Sequence, residues 1–236
     1  MSVKYKTSLN HTPQYIPRIL ICYNPNTMII TAHGAESMKI SHGDLTLAFN
    51  PISKESNLKS TSYGADIAFV STWHPDMNGV EAVTRNGKEP FVVKGPGEYE
   101  VSNLFVKAFA STTTYDEKEA INTLYIFTLD DIRVAYLGAL GTTDLSPEAK
   151  QELGTADIFL VPIGGDGVLT YKEAYDIAVK REAKIIIPIH HDGVGDKDAL
   201  KNFLKEAGQE DVKKVDKLTI KKKDVVEKQG EVVVIM

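Results

Sequence analysis

The sequence predicts an α/β protein, an αββα four-layer sandwich with two sheets packed face to face and helices outside. Three observations carry that prediction. Residues 28–137 read as short apolar runs punctuated by turn residues, and beyond residue 146 capped helices alternate with strands. Size is the third: 236 residues, 42% hydrophobic and 25% charged, match one globular domain over 1–236 with ample chain for a core. Residues 1–27 read as a less legible N-terminal extension, because Pro13, Pro17 and Pro25 interrupt any regular element.

Taken in order, Met28 to Ala32 opens the strand series. Met38 to Ser41 and Leu45 to Phe49 flank the turn His42-Gly43-Asp44 and form a hairpin. Phe91 to Val93, Tyr99 to Val101 and Leu104 to Phe109 follow, separated by the tight Lys94-Gly95-Pro96-Gly97 and by Ser102-Asn103. Asn122 to Leu129 and Ile132 to Leu137 surround the acidic turn Asp130-Asp131. Ser146 caps a helix with Pro147 at its first position and Gly154 beyond its end. Thr170 and Glu173 spell a capping box ahead of a helix over Tyr171 to Glu182, and Asp196 caps a helix that stops before Gly208. Lys217 to Lys222 and Glu231 to Met236, around Gly230, read as a closing hairpin, leaving Val232 to Met236 as an exposed strand that offers an edge to a protein partner.

Charge narrows the function classes. The net charge is −5, and although residues 197–228 hold ten Lys against seven acids, a local +3 is a solvated face rather than a nucleic-acid footprint. The lone Cys22 excludes an internal disulfide and any CxxC motif, and reads as a small buried residue in a protein of a reducing compartment. The N-terminus lacks a signal-peptide core, and no stretch approaches the ~18 apolar residues of a membrane span, so a cytoplasmic protein with no membrane partner is expected.

Four apolar runs deliver a polar or glycine-rich turn at their C-terminal ends. They are Ile67 to Val70 before Trp73-His74-Pro75-Asp76, Val134 to Leu137 before Gly138-Ala139, Ile158 to Val161 before Gly164-Gly165-Asp166-Gly167, and Ile185 to Ile187 before His190-His191-Asp192. Ligand sites of α/β sheets gather outside the carboxyl ends of strands, so these turns are candidates for one shared site. His74 and Asp76 can face one cation from a single short loop, with His190 or His191 arriving from another strand. The plainer alternative is that each histidine is a surface or hydrogen-bonded residue. No G-x-S-x-G elbow or Walker loop is present, and Gly95-Pro96-Gly97 lacks the helix a phosphate cradle needs.

The order of these segments resembles the metallo-β-lactamase superfamily, in its broad branch of metal-dependent hydrolase-like proteins, over roughly residues 28–236. Ile29 to Ser37 is similar to the family's first strand and its Gly-His-Ser turn, with Ala35 where the His stands. Phe49-Asn50-Pro51 is similar to its Asp-Pro step, Gly95 to Val101 to a segment common in the branch, and Tyr136 to Gly141 to its Gly-Asp loop. Val161 to Gly165 and Ile187 to His190 complete the pattern. The resemblance implies an H-x-H-x-D-H loop, a later His, a bridging Asp and a final His holding two metals and a hydroxide. Here the loop reads Thr72-Trp73-His74-Pro75-Asp76-Met77, Ser111 to Thr113 offers no His, and Ala139 replaces the bridging Asp. His74, Asp76 and His190 are the metal ligands that remain.

The resemblance therefore implies a hydrolase-like fold with an incomplete two-metal site. Two readings follow: a non-catalytic protein whose old cleft, lined by Thr72, Met77, Ala139 and Gly165, binds a small ligand or a protein partner, or a single-metal hydrolase of a small ester, phosphodiester or amide. In the second, one weakly held zinc or manganese sits on His74, Asp76 and His190, and Asp76 or a nearby acid is the catalytic base. His190 and His191, adjacent on an extended segment, point to opposite sides and do not share a metal. Substrate and oligomeric state are open at this level.

Overall fold

The computed structural model describes residues 27–236. The expectations for the proline-interrupted extension and for Cys22 lie outside the described residues. The first sheet is formed by β1 (Met28–Ala32), β2 (Met38–His42), β3 (Leu45–Phe49), β4 (Ile67–Val70) and β5 (Phe91–Lys94), joined late in the chain by β12 (Leu218–Ile220), in the order β12-β1-β2-β3-β4-β5. The second contains β6 (Gly97–Val101), β7 (Leu104–Thr113), β8 (Ala120–Leu129), β9 (Ile132–Tyr136), β10 (Ile158–Pro162), β11 (Ile185–Ile189) and β13 (Glu231–Val232), in the order β13-β11-β10-β9-β8-β7-β6. Each sheet mixes antiparallel hairpins with a parallel run, β3-β4-β5 in one and β9-β10-β11-β13 in the other. β10 and β11 are covered on both faces, which is why their sequences are continuous apolar runs rather than alternating ones.

The inner faces of the two sheets meet in one core. Phe49 of the first sheet stacks on its neighbour Phe69 at 4.5 Å and meets Phe127 at 5.5 Å and Tyr136 at 4.8 Å across the interface. The buried tyrosines satisfy their hydroxyls on backbone of the opposite layer. Tyr125 Oη donates to Val70 O at 2.6 Å, and Tyr136 Oη donates to Glu36 O at 2.9 Å. A second apolar layer lies between the second sheet and helices α1 (Pro147–Leu153), α2 (Tyr171–Val179) and α3 (Ala199–Glu206). The outer face of the first sheet carries a smaller cluster of Ala48, Ala68 and Val83 beneath Tyr63, Ala65 and Val80, supplied by a loop and by the 3₁₀ turn Val80–Val83. No helix among the described residues is long and apolar enough to cross a membrane.

The helix caps follow the sequence closely. Ser146 Oγ accepts from Ala149 N at 3.1 Å, and Thr170 with Glu173 forms the full capping box. Two helix boundaries and two connections differ from expectation, the earlier connection being Lys94 to Gly97, where β5 and β6 enter different sheets and do not pair with each other. α2 ends at Val179 rather than Glu182, because Glu182 adopts φ 55° to turn the chain into β11. Asp196 shapes the turn ahead of α3, accepting from Asp198 N at 2.9 Å through Oδ1 and from Ala199 N at 3.0 Å through its carbonyl. The closing hairpin is absent: β12 pairs with β1, β13 pairs with β11, and α4 (Lys222–Val226) carries the chain from one sheet to the other. Val225 fills the inter-sheet core and Lys222 Nζ reaches Asp157 at 2.9 Å, so the crossing is anchored by packing and by charge. Val232, Val234 and Ile235 are buried rather than exposed, and β13 forms the edge of the second sheet, with Val215 bridging to Ile235 just beyond it.

Candidate functional site

The turns after β4, β9, β10 and β11 meet at one end of the sandwich, and two buried asparagines lock them together. Asn50 Oδ1 accepts from Ser71 N at 2.8 Å while its Nδ2 donates to Ser71 Oγ at 2.8 Å, fixing the turn after β4 to the end of β3. Asn122 Oδ1 accepts from Ala139 N at 2.9 Å and its Nδ2 donates to Leu137 O at 3.0 Å, shaping the turn after β9. Gly138, at φ 57°, lies so close to Ser71 that a Cβ there would meet its Cβ at 2.5 Å, so only glycine permits this approach.

On that frame, His74 and Asp76 share one tight turn. Asp76 N donates to His74 Nδ1 at 3.2 Å, which assigns the ring proton to Nε2, and Nε2 faces Asp116 Oδ2 at 3.6 Å. Asp76 accepts from Ser56 Oγ through one oxygen and from Tyr115 Oη, at 2.7 Å, through the other. The Tyr115 ring stands edge-on to His74, with centroids 5.0 Å apart, and edge-on to His190 at 5.3 Å. Burial, the bond to Asp76 and the charges of Glu36, Asp76 and Asp116 all push the Tyr115 phenol upward, so it stays protonated and donates. His190 is fully buried, has φ 58°, and its Nδ1 donates to the equally buried Glu36 Oε1. His190 Nε2 and Glu36 Oε2 have no hydrogen-bond partner among the described residues. His191 turns away to Pro188 O at 3.1 Å, and burial pushes its imidazole toward the neutral form.

The residues present do not fit a metal centre. Among the described residues, no group of three or more His, Cys, Asp and Glu side chains is placed to hold a cation. His74, Asp76 and His190 come to one place but surround a phenol ring: His74 Nδ1 and both Asp76 oxygens already carry hydrogen bonds, His74 Nε2 faces Asp116, and the buried His190 Nε2 is bare. Met77 and Ala139 do not line an open cleft; both are fully buried and pack with Val168 against Tyr115. Thr72 is also buried and donates to Ile121 O at 3.2 Å. Gly165 lines a neighbouring hollow, with Thr170, Tyr171 and Asp196. The open cleft is outside Tyr115, has a volume of ≈ 350 Å³, and is lined by Ser56, His74, Asp76 and Tyr115 with Glu55, Asp116 and Asp166. Four carboxylates against one imidazole disfavour an anionic ligand there.

Glu36 and Tyr115 were not among the residues singled out by spacing. Glu36 sits inside the segment that carries the family resemblance, and Tyr115 lies just past the stretch where a ligand histidine was sought.

With this geometry in hand, comparison with known proteins is direct. A family model described as the beta-lactamase superfamily domain matches residues 29–190. A UPF0173 protein of Pyrococcus abyssi is 35% identical over 101 residues, 42% of this chain, so the chain spans less than half (43%) of that relative's length. A UPF0173 metal-dependent hydrolase of Listeria monocytogenes is 23% identical over 70% of this chain and 85% of its own. Among solved structures, a metallo-beta-lactamase superfamily protein of Thermotoga maritima superposes with a TM-score of 0.68 at 28% identity, covering 88% of this chain and 98% of that one.

Proposed function

Because the chain belongs to the metallo-β-lactamase superfamily, whose domain model covers residues 29–190, we propose that it is a member that has given up two-metal hydrolysis and keeps the fold for binding. The observation that carries this reading is Tyr115, whose ring occupies the space between His74 and His190 and whose hydroxyl takes up Asp76. Two-metal hydrolysis needs cations that polarise the substrate and bring a bound water's pKa near 7. Here the buried Met77 and Ala139 supply no donor, and the remaining carboxylate is committed to Ser56 and Tyr115. The cleft outside Tyr115 is the binding surface, and its excess of carboxylates selects neutral or cationic small ligands or a protein partner's basic group over phosphodiesters and carboxylated lactams.

A second reading, a single-metal hydrolase on His74, Asp76 and His190, draws support from His190. A carboxylate on Nδ1 with a bare Nε2 is the arrangement that orients a metal-ligating imidazole, and the Listeria relative carries the name of a metal-dependent hydrolase. Hydrolysis assays on generic phosphodiester, lactam and ester substrates, with zinc or manganese added, separate the two. The binding reading expects no turnover above buffer; metal-dependent turnover abolished by Asp76→Ala would establish the hydrolase instead.

A further inference from the structure

Tyr115 is held in place by more than its own contacts. Thr114 N and Thr113 Oγ1 both donate to Gly167 O, at 3.1 and 3.0 Å, and Tyr115 N donates to Thr113 Oγ1 at 3.2 Å. A Cβ on Gly167 would lie 2.5 Å from Thr114 C and Tyr115 N, so the turn after β10 carries glycine where the Tyr115 backbone docks. Immediately beyond, in the turn that joins β7 to β8, Asp116 and Glu117 both adopt φ 56°, as the hairpin pairs Ser102-Asn103 and Asp130-Asp131 do with φ of 51–60°. The Tyr115 side chain, at the start of that turn, is bonded to Asp76 and packed on Met77, Ala139 and Val168.

In consequence, one side chain links the turn after β4 in the first sheet to the end of β11 in the second. That is the mechanical task a coordinated cation performs when its ligands come from separate strands. We propose that Tyr115 is a built-in replacement for a metal: it ties the His74–Asp76 turn to His190 and, by filling the space between them, keeps cations out. The inference rests on the metal-free reading above and adds to it a mechanical role for Tyr115. The Glu36–His190 pair fits the same picture, since the buried carboxylate holds the imidazole in its positive-φ setting without help from a cation.

Thermal unfolding and zinc titration of the full chain, with zinc chloride or a chelator as the only additives, test the proposal. The unmodified chain is expected to melt at the same temperature with zinc as with chelator. Tyr115→Phe, which keeps the ring and loses only the bond to Asp76, should melt a few degrees lower and remain indifferent to zinc. Tyr115→Ala should melt lower still and bind one zinc, with zinc at about a hundredfold excess over its Kd raising its melting temperature by about 5–10 °C. That rise should vanish in Tyr115→Ala with Asp76→Asn. If Tyr115→Ala is unfolded without metal, refolding on zinc supports the proposal and failure to refold overturns it. A Tyr115→Ala protein as stable as the parent, or one that ignores zinc, also overturns it, while the metal-free reading stands. Stoichiometric zinc on the unmodified chain would instead overturn that reading.

Discussion

Single residues decide what this site can do, and they do so through neighbours far away in sequence. Asp76 is an open carboxylate on paper; in the folded chain Ser56 and Tyr115 occupy it from 20 and 39 positions away. Ala139 is the sharpest case, fully buried in an apolar cluster with Met77, Val168 and Tyr115. Restoring the carboxylate that the family resemblance implies, with Ala139→Asp, places an unpaired acid in that cluster. The expected result is a loss of about 1–3 kcal/mol or more in denaturant unfolding, with no gain in metal affinity while Tyr115 remains. His74 and Asp76 were legible because two residues of one short loop announce themselves by spacing. Glu36 and His190 stand 154 positions apart, and nothing local in either segment marks the partnership. Tyr115 was illegible for a related reason: its chemistry is steric, the filling of a space that only the assembled turns define.

At the level of elements, legibility followed local chemistry. The hairpin around His42-Gly43-Asp44 and the caps at Ser146 and Thr170 are written in turn and capping residues, and each is present. The C-terminal connection was misread because an apolar run that pairs with its neighbour is indistinguishable from one that joins another sheet, and α4 is too short to show a period. Asp157 anchors this crossing. Its carboxylate, at the edge of β10, accepts from Arg133 N at 3.0 Å and pairs with Lys222 at 2.9 Å and with Lys184. Burial pushes the Asp157 carboxyl up, but the Arg133 amide and the two ammonium groups outweigh it and hold the group below the ordinary carboxylate value. A depressed folded-state pKa stabilises fully above the unfolded value of about 3.9 and is lost as pH falls through the folded one. Asp157→Asn should therefore lower stability at neutral pH, and the gap between variant and parent should close as denaturant unfolding is followed to lower pH.

For the molecule as a whole, two mixed sheets share an aromatic core and deliver four turns to one end. Sequence pattern together with the family resemblance was enough for that architecture, because strands buried on both faces and well-capped helices leave few alternatives. The function was less legible because what fills the space between the turns is decided by packing and not by any local motif. The central claim is that the convergence point is occupied by Tyr115 and is closed to metal. Elemental analysis of the protein purified without chelator tests it most directly. The account predicts well under one zinc, manganese or iron per chain; one or more per chain, removable by chelator, would contradict it.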